Sequence, residues 1–237
     1  MTTAFFNTIK HKLIASCQAL EEEPLHGADI MAKMATAAKM GGATAIRANS
    51  VVDIQAIRNA TKLPLIGIIK QEYAGSDVFI TPTLKEVEAL TSLQIDCIAL
   101  DATARPRPGG GTLEQLISFI HSQGVLVMGD ISTLEEAKQA EALGVDCVGT
   151  TLSGYTPYSR QLQGPDLTLI RDAALALSIP VIAEGKIHTT EDAKQAMLAG
   201  AHAVVVGSAI SRPQLITKRF VTSVESVFHP SRESQGS

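Results

Sequence analysis

The sequence predicts an α/β chain folded as a single (β/α)8 barrel over residues 1–228, on three observations. Short apolar runs alternate eight times with helical segments, a helix-to-strand unit recurs along the chain, and no GxGxxG follows the first run. An open doubly wound sheet is the fallback, and it would normally carry that glycine fingerprint. The stretch ASCQALEEEPLHG offers nothing of the kind.

Taken in order, the expected strands are LIASCQ (13–18), AIRANS (45–50), PLIGIIK (64–70), CIALDAT (97–103), VLVMGD (125–130), CVGTTLS (147–153), PVIAEG (180–185) and AVVVGS (203–208). They are apolar on both faces, the pattern of parallel strands covered on both sides. Between them DIMAKMATAAKM (29–40), VDIQAIRNAT (52–61), TLKEVEALTSL (83–93) and TLEQLISFIHSQ (112–123) read as helices. TLEEAKQAEAL (133–143), DLTLIRDAALALS (166–178), TEDAKQAMLA (190–199) and PQLITKRFVTSV (213–224) complete the set. Several open on Thr, Ser or Asp, as N-caps should, and stop at Gly.

The repeat is visible letter by letter. TLKEVEALTSLQIDC begins at Thr83, TLEEAKQAEALGVDC at Thr133 and TTEDAKQAMLAG at Thr189. Aligned this way, Cys97, Cys147 and Ala203 become equivalent positions on strands four, six and eight. Small side chains there suit the crowded interior of a barrel, where alternate strands share a layer.

Composition narrows the function. The chain has 237 residues, 45% hydrophobic and 19% charged, with a formal charge of −4 and no basic stripe, so nucleic acid is not an expected partner. No apolar run reaches membrane-spanning length, and MTTAFFNTIKHK lacks a signal-peptide core. Cys17, Cys97 and Cys147 are widely spaced within apolar runs, as reduced core residues of a cytoplasmic protein would be. The tail HPSRESQGS (229–237) is expected to be disordered.

Polar residues gather where strands end. Residues two apart on a strand share a face. By that count Gln18 follows Ser16, Arg47 pairs with Asn49, and Lys70 lines up with Ile66 and Ile68. Asp101 and Thr103 follow Cys97 and Ala99, Asp130 follows Met128, and Glu184 follows Ile182. In a barrel these ends converge at the mouth that holds the active site. Each has a plainer reading: Lys70 snorkelling to solvent, Asp130 capping a helix, Asp101 pairing with Arg105 to shape a loop. Glu184 is harder to set aside, because a buried carboxylate needs a partner or a task.

The last two strand ends serve another need. Gly185 and Lys186 stand before one helix, and Gly207 and Ser208 before another, with Arg212 in reach. Glycine admits close backbone approach, and amides, a hydroxyl and cations supply donors for a phosphate. The plain alternative is a tight strand-to-helix turn with Lys186 as a solvated charge.

With these motifs in order, the chain resembles the N-acetylmannosamine-6-phosphate 2-epimerase family nearly end to end. The resemblance rests on SCQA (16–19), EPLHG (23–27), AIRAN (45–49), GIIK (67–70), ITPT (80–83), ALDAT with RPRPGG, MGDIST (128–133), GTTLSGYT (149–156), PVIAEGKI (180–187) and VVVGSAISRP (204–213). It implies a TIM barrel of the ribulose-phosphate-binding type and an isomerase that uses neither metal nor nucleotide cofactor, serving sialic acid catabolism. It implies Lys70 and Glu184 as the proton-handling pair. Gln18, Arg47 and Asp130 would hold the sugar and amide, with Asp101, Thr103 and Tyr155 nearby. Gly185, Lys186, Gly207, Ser208 and Arg212 would hold the phosphate. It also implies a homodimer, although the apolar final helix could equally cover its own barrel.

Which group removes the C2 proton stays open. Neighbouring carboxylates favour charged Lys70, whereas desolvation favours the neutral amine. Two other readings compete. Lys70 could form a Schiff base in an aldolase or lyase acting on a phosphosugar, or the barrel could bind such a sugar without catalysis. A metal-dependent epimerase is disfavoured, since His11, His26, His121, His188, His202 and His229 fall on helices or loops.

Overall fold

The computed structural model describes residues 2–228; the tail 229–237 lies outside the described residues. Eight strands run β1 (Leu13–Cys17), β2 (Ala45–Asn49), β3 (Leu65–Ile68), β4 (Cys97–Asp101), β5 (Leu126–Asp130), β6 (Cys147–Gly149), β7 (Val181–Ala183) and β8 (Ala203–Val206). All neighbours are parallel, and β8 pairs with β1 to close the barrel. The (β/α)8 expectation holds. Helices α1 (Thr2–Ile9), α2 (Ala28–Met40), α3 (Val51–Thr61), α4 (Leu84–Thr91), α5 (Leu113–Ser122), α6 (Leu134–Ala142), α7 (Leu167–Ala176) and α8 (Thr190–Leu198) are followed by the short α9 (Ser208–Ser211) and by α10 (Pro213–Ser226).

Face counting along the strands is correct. Ile14, Ala45, Ile66, Ile68, Cys97, Ala99, Leu126, Met128, Cys147, Ile182, Ala203 and Val205 form one buried inner cluster. Ile46, Leu65, Ile98, Leu100, Val127 and Val148 point outward to the helices. Helix α1, which the strand-by-strand count does not anticipate, adds Phe5, Phe6 and Ile9 to the inner cluster.

The strands are shorter than expected. β3 stops at Ile68 because the chain then doubles back: Lys70 bridges Ile80 in antiparallel fashion, Gln71 N donates to Phe79 O at 2.9 Å, and Thr81 N donates to Ile69 O at 2.8 Å. β6 gives way at Thr150 to one turn of 3-10 helix, and β7 ends at Ala183, one residue before Glu184.

The repeat has a physical content. In its three copies Thr83, Thr133 and Thr189 open capping boxes closed by Glu86, Glu136 and Asp192. The longer Glu side chains reach one step further: Glu86 accepts from Tyr73 Oη and Glu136 from Tyr158 Oη, both at 2.8 Å. The first two copies also share an aspartate before the strand, where the third has His202. Asp96 accepts from Leu65 N and Asp146 from Val127 N, each at 2.8 Å, so in these two units the same letter ties the helix-to-strand unit to the strand before it.

Helix α10 buries none of its side chains, leaving Phe220 71% and Val224 63% exposed. It does not cover its own barrel. Among the described residues, no helix is long and apolar enough to cross a membrane.

Candidate active site

At the C-terminal ends of the strands lies a cavity of about 280 Å³ whose wall includes Gln18, Arg47, Lys70, Tyr155, Glu184, Gly185, Lys186, Gly207, Ser208 and Arg212. At its base Arg47 is 1% exposed and works as a two-sided clasp. Its Nη1 donates to Asp130 Oδ1 at 3.0 Å and to Glu184 Oε2 at 2.8 Å, and its Nη2 donates to Asp130 Oδ2 at 2.5 Å. Burial alone would weaken the guanidinium's hold on its proton, but Asp130 and Glu184 outweigh it and raise its pKa. Asp130 therefore sits behind Arg47 rather than on the cavity wall, and Thr151 Oγ1 donates to its Oδ1 at 2.6 Å.

The inner face of β6 has no room for a side chain at this level. A Cβ on Gly149 would lie 2.2 Å from Met128 Cε and 2.9 Å from Asp130 Oδ1. Gly149 thus lets the carboxylate stand where Arg47 can reach it.

Lys70 and Glu184 share this wall, each with a shifted affinity for its proton. Desolvation lowers Lys70 to about 8, helped by Arg47 and Arg212 and resisted by Glu184 and Asp130. Ile68, Phe79 and Ile80 supply the apolar wall beside it, and its amide donates to Asn49 Oδ1 at 2.8 Å. Burial raises Glu184 to about 7 and Asp130 adds to the rise, whereas Arg47 and Lys70 pull the other way. The Glu184 backbone is fixed by Thr150: Thr150 Oγ1 donates to Glu184 O at 2.8 Å, and Glu184 N donates to Thr150 Oγ1 at 3.1 Å. Two groups that both change charge near neutrality, in one cavity, suit general acid–base chemistry.

Two buried polar atoms on the same wall have no protein partner, Gln18 Oε1 and Arg47 Nε. Gln18 Nε2 is occupied, donating to Ser16 Oγ at 2.8 Å. An unsatisfied acceptor and donor at a cavity surface are groups that a polar ligand would satisfy.

Two expected residues lie elsewhere. Asp101 and Thr103 do not line the cavity. The Asp101 carboxylate accepts from Thr103 N at 2.9 Å, Thr103 Oγ1 at 2.6 Å and Arg105 Nη2 at 2.6 Å, so its own loop consumes it. The plainer reading of Asp101 describes its contacts.

The anion-binding turn also differs from expectation. Gly185 (φ 102°) and Lys186 (φ 54°) lie on the wall, but α8 begins only at Thr190. The two amides just before the helix are taken, since Asp192 Oδ2 accepts from His188 N at 3.0 Å and Thr189 N at 2.9 Å, and Asp192 N itself donates to Thr189 Oγ1 at 3.0 Å. Lys186 Nζ donates to Leu162 O at 2.8 Å and lies 5.4 Å from the centre of the Tyr155 ring. Tyr155 is a rim residue, 60% exposed. Gly207, Ser208 and Arg212 flank the cavity around α9.

No role is read from sequence for Thr150, Thr151 or Phe79, and Asn49 is placed only on the face it shares with Arg47. The two threonines follow directly on β6, the strand end to which no polar role was given, and that gap was the signal. Among the described residues, no group of three or more His, Cys, Asp or Glu is arranged to hold a metal ion.

The family model described as "Putative N-acetylmannosamine-6-phosphate epimerase" matches residues 31–226. A relative from Enterobacter sp. (strain 638), named "Putative N-acetylmannosamine-6-phosphate 2-epimerase", is 57% identical over 92% of this chain and 95% of its own length. One of the same name from Clostridium perfringens (strain SM101 / Type A) is 55% identical over 90% and 97%. The solved N-acetylmannosamine-6-phosphate 2-epimerase from Clostridium perfringens superposes with a TM-score of 0.91 at 54% identity, covering 92% of this chain and 95% of that one. Thiamine phosphate pyrophosphorylase from Pyrococcus furiosus, at 19% identity and a TM-score of 0.59, shares the fold alone. With the matched residues spanning seven of the eight strands and relatives aligned over nine-tenths of the sequence, the chain belongs to the N-acetylmannosamine-6-phosphate epimerase family.

Proposed function

We propose that this protein converts N-acetylmannosamine 6-phosphate to N-acetylglucosamine 6-phosphate by removing and returning the proton at C2, using side chains alone, within amino-sugar (sialic acid) catabolism in the cytoplasm. The observation that carries the reading is the placement of Lys70 and Glu184 on one cavity wall, both poised near neutral pH. The sugar must first open, because only the free aldehyde acidifies the neighbouring C2–H. One group of the pair then takes the C2 proton, a cation of the wall (Arg47, or Lys70 when charged) holds the negative oxygen at C1, and a proton is returned to the opposite face. Gly185, Lys186, Gly207, Ser208 and Arg212 form the end of the cavity assigned to the phosphate. Gln18 and Arg47 offer their unpartnered atoms to the sugar and its amide.

The reaction run in heavy water is expected to place deuterium at C2 of the product. Taken well past equilibrium, so that internally returned protons have many chances to exchange, a product with only the original hydrogen at C2 would end this mechanism. A half-neutral Lys70 also suits imine formation. Borohydride with substrate present distinguishes the two, since only the aldolase reading predicts covalent capture on Lys70.

The exposed apolar face of α10 supports a homodimer. Light scattering should give twice the 25.0 kDa chain mass, and Phe220→Glu with Val224→Glu should halve it. A monomeric wild-type protein at micromolar concentration would contradict this.

A further inference from the structure

Arg212 does not stand alone at the mouth of the cavity. Glu23, in the loop between β1 and α2, forms an ion pair with it at the barrel rim, with Arg212 Nη2 2.9 Å from Glu23 Oε2. Leu20 N donates to the same oxygen at 2.7 Å, and Gln214 Nε2 donates to Glu23 Oε1 at 2.9 Å. The side chains of Glu23 and Arg212 are only 14% and 23% exposed. Two donors fix this largely covered carboxylate from its own side of the pair, so it stands as a strut and not as a swinging competitor for the cation. The contact occupies one guanidinium nitrogen and leaves the rest of the donor fork available to an anion.

An arginine held this way has already lost the side-chain freedom that it would otherwise lose on binding. We infer that Glu23 is a positioning residue, which holds Arg212 ready for the anionic end of the substrate and so sets affinity for the phosphorylated sugar. The inference rests on the reading of Arg212 as a phosphate ligand.

The test is a double-mutant cycle on Glu23→Ala and Arg212→Ala, reading KM and kcat for the 6-phosphate and the inhibition constant of inorganic phosphate. Glu23→Ala is expected to raise KM and weaken phosphate inhibition by roughly 5- to 20-fold, with a smaller loss in kcat. Arg212→Ala is expected to do more, and adding Glu23→Ala to it should change KM by less than about twofold. A Glu23→Ala enzyme with wild-type KM would overturn the inference. So would a Glu23→Ala effect that persists undiminished without Arg212, since Glu23 would then act through something else. Arg212→Ala with unchanged KM and phosphate inhibition would instead sink the phosphate reading itself. Should Glu23→Ala fail to fold, the same cycle run with Glu23→Gln decides by the same non-additivity, its single effect expected at about threefold.

Discussion

Glu184→Gln and Lys70→Met are each expected to lower kcat by roughly 10²- to 10⁴-fold, the range that a positioned acid–base group contributes. The wild-type pH profile of kcat/KM should be a bell, with an acid limb near 7 from Glu184 and an alkaline limb near 8 from Lys70. If Glu184 takes the proton and Lys70 gives it, the active form carries both charges and dominates between those limits. If the roles reverse, the active form carries neither charge. It has the same proton count, so the bell keeps its shape and loses height. In the first case Glu184→Gln should erase the acid limb of whatever activity remains and Lys70→Met the alkaline limb; in the reverse case each variant erases the other limb, which tells the two assignments apart. A wild-type profile flat from pH 6 to 9 would remove both residues from the chemistry.

Lost activity must be told apart from lost fold, and Lys70 permits this. Its folded pKa is depressed, so the ammonium destabilises the native state in full below about 8, and the penalty fades as pH rises toward the unfolded value. At pH 7 Lys70→Met should thus be as stable as wild type or more stable, by on the order of 1–3 kcal/mol. An inactive variant that melts later than its parent has lost chemistry, not structure.

The largest expected stability effect belongs to Arg47→Met. Asp130 and Glu184 are held by one guanidinium at distances of 2.5–3.0 Å, and without it two buried carboxylates face one another. Removing one member of such a cluster costs about 3–5 kcal/mol, or a melting point lowered by about 6–20 °C for a chain of this size. The sign with pH follows from the acids left behind. Glu184, already raised to about 7, can relieve the repulsion by binding a proton, so the deficit against wild type should be greater at pH 8 than at pH 5.5. Urea unfolding at both pH values measures it. Equal stability of the two proteins at pH 8 would show that the clasp holds nothing together. Arg47→Lys should recover only part of the loss, because one ammonium cannot serve both carboxylates with the same fork.

Much of this architecture is legible in the letters because barrel strands obey a strict two-residue period. Once Ile66 and Ile68 are placed inward, Lys70 follows even past the end of β3, since the antiparallel bridge to Ile80 continues the alternation. The capping boxes were likewise readable in TLKE, TLEE and TTED, and the last of these already says that α8 closes its own amides with Asp192. Asp101 spends its carboxylate locally, as the loop-pairing reading of it has it: partners two and four residues ahead reach the carboxylate before any cavity can. The Glu23–Arg212 contact and the clasp on Asp130 join residues far apart in sequence. No periodicity announces such meetings, since they depend on which loops the closed barrel brings together. Strand ends were drawn too long because hydroxyl-rich turns such as Thr150–Leu152 look like strand until their hydrogen bonds are known.

Helix α1 carries a consequence for the proton itself. Phe5, Phe6 and Ile9 stopper the barrel from beneath, packed into the inner cluster at the end away from the mouth. If the proposed C2 deprotonation occurs there, a plug at that end slows exchange of the lifted proton with bulk solvent. How often it comes back to carbon instead of escaping is governed by traffic at the entrance, and shaving the first helix would add a back door.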